Sequence, residues 1–138
     1  MNVAAPPVAP ALQSFLAFDF GLQRTGVAYA SRLLGQAQAQ GTVKAAGDAR
    51  WPLIAQHIER WQPYALVVGV PYHPDGARHE NTERAQKFAR QLHGRFGLQV
   101  FEVDERYSTT EAHAQGAKDV DAASACVILD QFLRSIAS

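Results

Sequence analysis

Continuous apolar runs alternate with amphipathic stretches along the chain, and the period of the pattern switches between two residues and the helical three-to-four. Residues 15–20 are apolar except for Asp19 and predict a first strand. After a turn containing Gly21, residues 26–30 predict a second strand and residues 36–44 a weaker third. Connections this short favour antiparallel pairing. Trp51, Ile54, Ile58 and Trp61 recur at helical spacing and place one apolar face on a helix that Pro63 ends. Residues 65–70 are apolar throughout and stop at Pro71, the pattern of a strand covered on both faces. Pro74-Asp75-Gly76 marks a turn. A helix over 81–96, stopped near Gly94 and Gly97, leads to a strand over 98–103 that runs into Asp104-Glu105-Arg106. Its alternation sets Phe101, Val103 and Glu105 on one face. The last helix spans about 119–136, and Asp121 lies on a stripe otherwise made of Ala125, Ile128 and Phe132.

Strands separated by helices join a sheet in parallel. The expected fold is therefore α/β: a mixed five-stranded sheet, three strands antiparallel and two parallel, flanked by helices. The same element order defines the ribonuclease H-like fold. At 138 residues, 47% of them hydrophobic, the chain has the length and apolar content of one domain. That domain is expected over residues 14–138, behind a disordered Ala- and Pro-rich tail at 1–13. The tail lacks the basic start and apolar core of a signal peptide, and no run approaches the roughly 20 residues needed to span a bilayer. A cytoplasmic protein with no membrane contact is expected. Cys126 has no second cysteine to pair with and sits in an apolar helical run, as a small buried hydrophobe would.

Charge narrows the choice of partners. Thirteen basic and thirteen acidic residues cancel, so any contact with nucleic acid must be a local patch. Ten of the basic residues are Arg, whose planar fork suits phosphate.

Three acids stand at informative places: Asp19 at the end of the first strand, Glu105 at the end of the fifth, and Asp121 in the first turn of the last helix. Desolvating a carboxylate costs several kcal/mol in practice unless it meets a cation, a hydrogen-bond cage or solvent. Magnesium and manganese take oxygen ligands, and in nucleases they sit as a pair roughly 3.5–4 Å apart that holds the attacking and leaving oxygens of a phosphodiester. Carboxylates from two strand ends and a helix start suit such a site. No Cys/His spacing suits zinc. Each acid also has a structural role open to it. Asp19 could accept backbone hydrogen bonds in its turn, Asp121 could complement the helix dipole, and Glu105 could pair with Arg106 or face solvent.

The joint pattern closely resembles the YqgF family, also called the RuvX or pre-rRNA nuclease family, related to RuvC-type Holliday junction resolvases. The matching blocks are Asp19-Phe20-Gly21 with Arg24-Thr25-Gly26-Val27-Ala28; Val67-Val68-Gly69-Val70-Pro71 with Asp75-Gly76; Asp104-Glu105-Arg106-Tyr107-Ser108-Thr109 with Glu111-Ala112; and residues 118–129. The resemblance covers about residues 14–136. It implies a metal-dependent endonuclease using Mg2+ or Mn2+, with Asp19, Glu105 and Asp121 as catalytic and metal-binding acids. The implied task is maturation of the small-subunit rRNA precursor, with pre-rRNA, a pre-ribosomal particle or branched DNA as partner. Asp104 is the rival of Glu105, and the shared face with Phe101 and Val103 favours Glu105. Arg24, Arg106 and Lys118 adjoin the acids in sequence and are candidates to hold the phosphate backbone or simply to balance the acids. Between Glu111 and Lys118 the chain is shorter than its relatives, and Val70, Tyr107 and His73-Pro74 also depart from the family pattern, so substrate choice is the part that these changes touch.

Other readings stay open at this point. The Asp-x-Gly turn after a first strand also resembles the phosphate loop of sugar kinases and actin-like ATPases, but that fold needs two such domains. A Holliday junction resolvase acts as a dimer, and the sequence carries no clear dimer signature, so a monomer or weak homodimer is expected. A non-catalytic RNA- or ribosome-binding factor would keep the fold without the chemistry.

Overall fold

The computed structural model describes residues 9–73, 75–78, 80–105 and 119–136. Strands β1 (Ser14–Asp19), β2 (Thr25–Ser31) and β3 (Gln38–Val43) form the expected antiparallel meander. The β2–β3 register shifts beside Gly41, which takes a positive φ of 101° there, a conformation open to glycine at a bulge. A short 3-10 turn then leads into helix α1 (Arg50–Trp61), strand β4 (Ala65–Val70), helix α2 (Glu80–Phe96), strand β5 (Gln99–Asp104) and helix α3 (Val120–Ile136). Helix α1 ends on Gln62 in the left-handed region, whose N–H donates to the Ile58 carbonyl at 2.8 Å; Pro63 cannot extend the helix and disfavours α geometry at residue 62.

The sheet order is β3-β2-β1-β4-β5, with β1, β4 and β5 parallel and β1 in the centre. Expected and observed architectures agree. Alternation divides the core between the two faces. Leu16, Phe18, Leu66 and Val68 pack with Trp51, Ile54, Phe88 and Leu92 of α1 and α2. Phe15, Ala17, Ala28, Ala30, Val67 and Phe101 pack with Ala125, Ile128, Leu129 and Phe132 of α3. Fully burying each large side chain is worth about 1.5–3 kcal/mol, which fixes the strand register, because a one-residue slip would send every side chain to the wrong helix layer. Both tryptophans join the core, Trp51 buried and Trp61 stacked on Tyr29 with ring centres 4.3 Å apart. Cys126 is half-buried against the α3 layer, and burial followed by the nearby Asp130 charge pushes its thiol up to about 11.

Of the expected tail, residues 1–8 lie outside the described residues. Residues 9–13 carry a turn, closed by the Leu12 N–H on the Ala9 carbonyl at 2.9 Å and held by Arg32, whose Nε donates to the Leu12 carbonyl at 2.7 Å. No helix among the described residues is long and apolar enough to cross a membrane.

Candidate active site

Parallel sheets place their functional groups at the carboxyl ends of the strands. Here β1 ends on Asp19, β4 on Gly69-Val70-Pro71, and β5 on Asp104 followed by Glu105. Asp19 continues the odd-numbered face of Phe15 and Ala17, so it points to the α3 layer. Glu105 continues the face of Phe101 and Val103 and joins the same side, while its neighbour Asp104 is exposed. The Glu105 N–H donates to the Val70 carbonyl at 2.9 Å, carrying the β4–β5 ladder one step past the strand and fixing the side chain at the rim.

Helix α3 supplies the third acid. Asp119 caps its first turn, accepting the Ala122 N–H at 3.0 Å and the Thr42 hydroxyl at 2.5 Å, which anchors the helix start to β3. Asp121 follows in the first turn and accepts Nε and Nη2 of Arg24 on one oxygen, at 2.8 and 2.5 Å. In this structure Arg24 therefore balances an acid, though Asp121 rather than its sequence neighbour Asp19. Arg106 and Lys118, and the whole of 106–118 where a shortened loop is expected, lie outside the described residues.

Two glycines let these groups meet. Gly26 is the ladder partner of Asp19, and a Cβ there would stand 1.8 Å from the Asp121 carbonyl oxygen, so only a bare backbone admits the start of α3. Gly69 lies under the site from β4, where a Cβ would stand 2.5 Å from Ile128 Cδ1 and 3.1 Å from Glu105 Oε2. Neither glycine was singled out from the sequence for this role; a glycine inside an otherwise apolar strand run is the signal that points to close approach.

Two of the three acids, Asp19 and Glu105, lie in an open cleft of about 500 Å3, which they line with Gly21, Gly69 and Pro71 and with Glu80, Asn81 and Arg84 from the first turns of α2. Burial, and then repulsion from Asp121, pushes the Asp19 carboxyl up to about 6. Burial, and then the charges of Asp19 and Asp104, pushes Glu105 up to about 7. Glu105 is 8% exposed, and its Oε1 is the one carboxylate oxygen among the buried side-chain atoms without a hydrogen-bond partner in the described residues. Asp19 is thus coupled to an acid on either side. The three do not close round one point: among the described residues no group of three acids, histidines or cysteines is close enough to hold a single ion. Burial and mutual repulsion thus disfavour the charged forms of Asp19 and Glu105, and no cation among the described residues pairs with either.

The sequence profile of the family described as "RuvX: Holliday junction resolvase" matches residues 13–135. The chain belongs to the RuvX family. Among RuvX relatives, the protein named "Putative pre-16S rRNA nuclease" from Polaromonas sp. (strain JS666 / ATCC BAA-500) is 67% identical over 99% of each chain. Its namesake from Albidiferax ferrireducens is 67% identical over 94% of this chain and 83% of its own. The namesake from Burkholderia mallei is 47% identical over 87% of both. In fold the chain is similar to Thermus thermophilus RuvC, solved as "T. thermophilus RuvC in complex with Holliday junction substrate", with a TM-score of 0.56 at 15% identity over 89% of this chain and 94% of that one. Family and fold both agree with the resemblance read from the four sequence blocks.

Proposed function

We propose that this RuvX protein is a divalent-metal-dependent endonuclease that hydrolyses phosphodiester bonds in the precursor of 16S rRNA. One observation carries the reading: Asp19, at the end of the central strand, is crowded by Asp121 on one side and by the buried, unpartnered Glu105 on the other, inside an open cleft. The names of the curated relatives supply the substrate class. Mg2+ or Mn2+ would suit this oxygen-only donor set, with Asp19, Glu105 and Asp121 as the groups that would hold such ions. Bound there, such ions would polarise the phosphoryl group and lower the pKa of the attacking water.

The chain's own residues do the rest. Asp19 and Glu105 set the negative field that draws cations to the cleft, and the Gly69 backbone leaves room for the Glu105 carboxylate. Arg24 holds the Asp121 carboxylate in place through its Nε and Nη2. Arg84 sits on the cleft wall, where its guanidinium can meet a phosphate oxygen. Arg106 and Lys118 remain candidates for further backbone contacts. The reading places the protein in the cytoplasm, where the rRNA precursor of a bacterium is made.

Purified protein incubated with Mg2+ or Mn2+ and an RNA carrying the 5′ leader of 16S rRNA, beside a four-way DNA junction, tests the reading. Metal-dependent cutting of the RNA is expected. Cutting of the junction alone would turn the assignment to a resolvase, and cutting of neither would leave a binding factor.

A further inference from the structure

A second cleft, of about 570 Å3, adjoins the first and shares Phe20, Leu22 and Arg84 with it. Three cations, Arg50, Arg84 and Lys87, line this second cleft against one carboxylate, Asp48, among the described residues. In a chain of zero net charge that is a local excess rather than a general one.

Arg50 is the unusual member. It is 7% exposed, its guanidinium lies 4.8 Å from the Phe20 ring centre, and Nη2 donates to the Leu22 carbonyl at 3.1 Å. Its Nε is buried without a partner, and no carboxylate lies within ion-pair distance of it among the described residues. Burying a cation is costly without a close counter-charge, and Asp48, whose charge reaches Arg50 across the cleft, stands beyond ion-pair distance, so the position is suited to an anion that arrives from outside. The backbone turn that carries Asp19 is tied to this same side chain through Leu22. Arg84 and Lys87 are exposed and lie on one stripe of α2 with Gln91 and Arg95, a helical line leading away from the acids. Arg84 also donates to Asn81 Oδ1 at 3.0 Å, which steadies it at the junction of the two clefts.

The aromatic rings along this line are covered. Phe20 stacks on Phe88 and lies under Arg50, and Trp51 is buried beneath Arg95, whose guanidinium is 4.4 Å from its ring centre. Among the described residues these rings have faces already occupied, which weakens base stacking, the usual means of gripping unpaired bases, and favours phosphate contacts.

We propose that the second cleft is a phosphate-backbone subsite that holds a single RNA strand beside the scissile bond, with Arg50 and Arg84 donating to phosphate oxygens and Lys87 adding charge. The subsite rests on the nuclease reading for its purpose, but its test does not need cleavage. A fluorescently labelled single-stranded RNA is titrated with the full chain in EDTA across a salt series, using the wild type, the double variant Arg84→Ala/Lys87→Ala, and Arg90→Ala as a control on a part of α2 that lines neither cleft. All three positions are exposed, so folding is not at stake. The double variant is expected to bind at least about tenfold more weakly and to lose about 1.4 from the log–log salt slope, two phosphate contacts at about 0.7 each for a single strand. Single-stranded DNA of the same sequence should weaken equally, because the contacts are to phosphate. Affinity within twofold of wild type, a loss matched by Arg90→Ala, or a loss confined to a four-way junction would overturn the proposal. Wild-type cleavage with Mn2+, run in parallel, separates the two claims: no cleavage with charge-dependent binding rejects the nuclease reading alone, and cleavage with unchanged binding rejects the subsite alone.

Discussion

The backbone of Gly26 touches the backbone of Asp121: a methyl group on Gly26 would stand 1.8 Å from the Asp121 carbonyl oxygen. Since Gly26 is also the ladder partner of Asp19, this contact sets the distance between two of the three acids. A helix backbone cannot swing aside as a flexible side chain can, so Gly26→Ala should push the start of α3 outward. Urea unfolding should show a loss of about 1–3 kcal/mol, the cost of overpacking, with cleavage falling further than stability explains. Gly94→Ala, in an open position of α2, should instead gain up to about 1 kcal/mol.

The two perturbed acids make the metal-free protein sensitive to pH. Asp19 titrates at about 6 instead of 3.8, and Glu105 at about 7 instead of 4.5. Because the folded state holds these protons more tightly than the unfolded chain does, their contribution is complete below about pH 4 and is lost as pH rises through 6 and 7. Thermal melts in EDTA should show Tm falling between pH 5 and pH 8. Asp19→Asn/Glu105→Gln should flatten that fall by at least about 4 °C, the shift given by roughly 1 kcal/mol in a domain of this size. Added Mn2+ should raise the wild-type Tm more at pH 8 than at pH 5, since the ion and the protons compete for the same oxygens.

Two adjacent acids should differ sharply in cleavage assays. Glu105 is buried on the α3 side with an unpartnered oxygen, while Asp104 is exposed. Glu105→Gln should lower cleavage by roughly 100-fold or more, the scale of losing one preorganised electrostatic group. Asp104→Asn should stay within a few-fold of wild type. Equal losses would mean that both acids act.

Asp119 has a structural task that is separable from the chemistry. Its carboxylate caps α3 and accepts the Thr42 hydroxyl. Asp119→Ala should cost about 1 kcal/mol in denaturant unfolding, the usual worth of a helix cap. Cleavage should fall only as far as the loosened helix start lets Asp121 drift. Asp119→Asn should recover most of both.

Strand and helix order were legible in the sequence because the apolar period changes cleanly at each boundary, from the run at 65–70 to the amphipathic stretch at 81–96. The face of Glu105 followed from its step of two after Phe101 and Val103. What a linear pattern does not contain is which elements touch. The approach of α3 to Gly26 joins residues 95 positions apart, and the Arg24–Asp121 pair joins residues 97 apart, so neither leaves a local periodic trace. Asp119 and Asp121 look alike in sequence as first-turn acids; only the hydrogen bonds separate the cap from the member of the acid cluster. Arg50 was likewise hidden, since a cation at the head of an amphipathic helix normally faces water, whereas here the Leu22 carbonyl and the Phe20 ring hold it inside.

Asp19 is the acid that both of the others perturb or are perturbed by, so its charge is the most direct test of the whole account. Single-turnover cleavage of a 16S leader RNA should be measured for wild type and Asp19→Asn at matched Mn2+, with circular dichroism to show that the fold persists. The account predicts Mn2+-dependent cutting by the wild type, none by the folded variant, and a variant at least as stable as the wild type in EDTA at pH 8. Equal cleavage by a folded Asp19→Asn protein would contradict it.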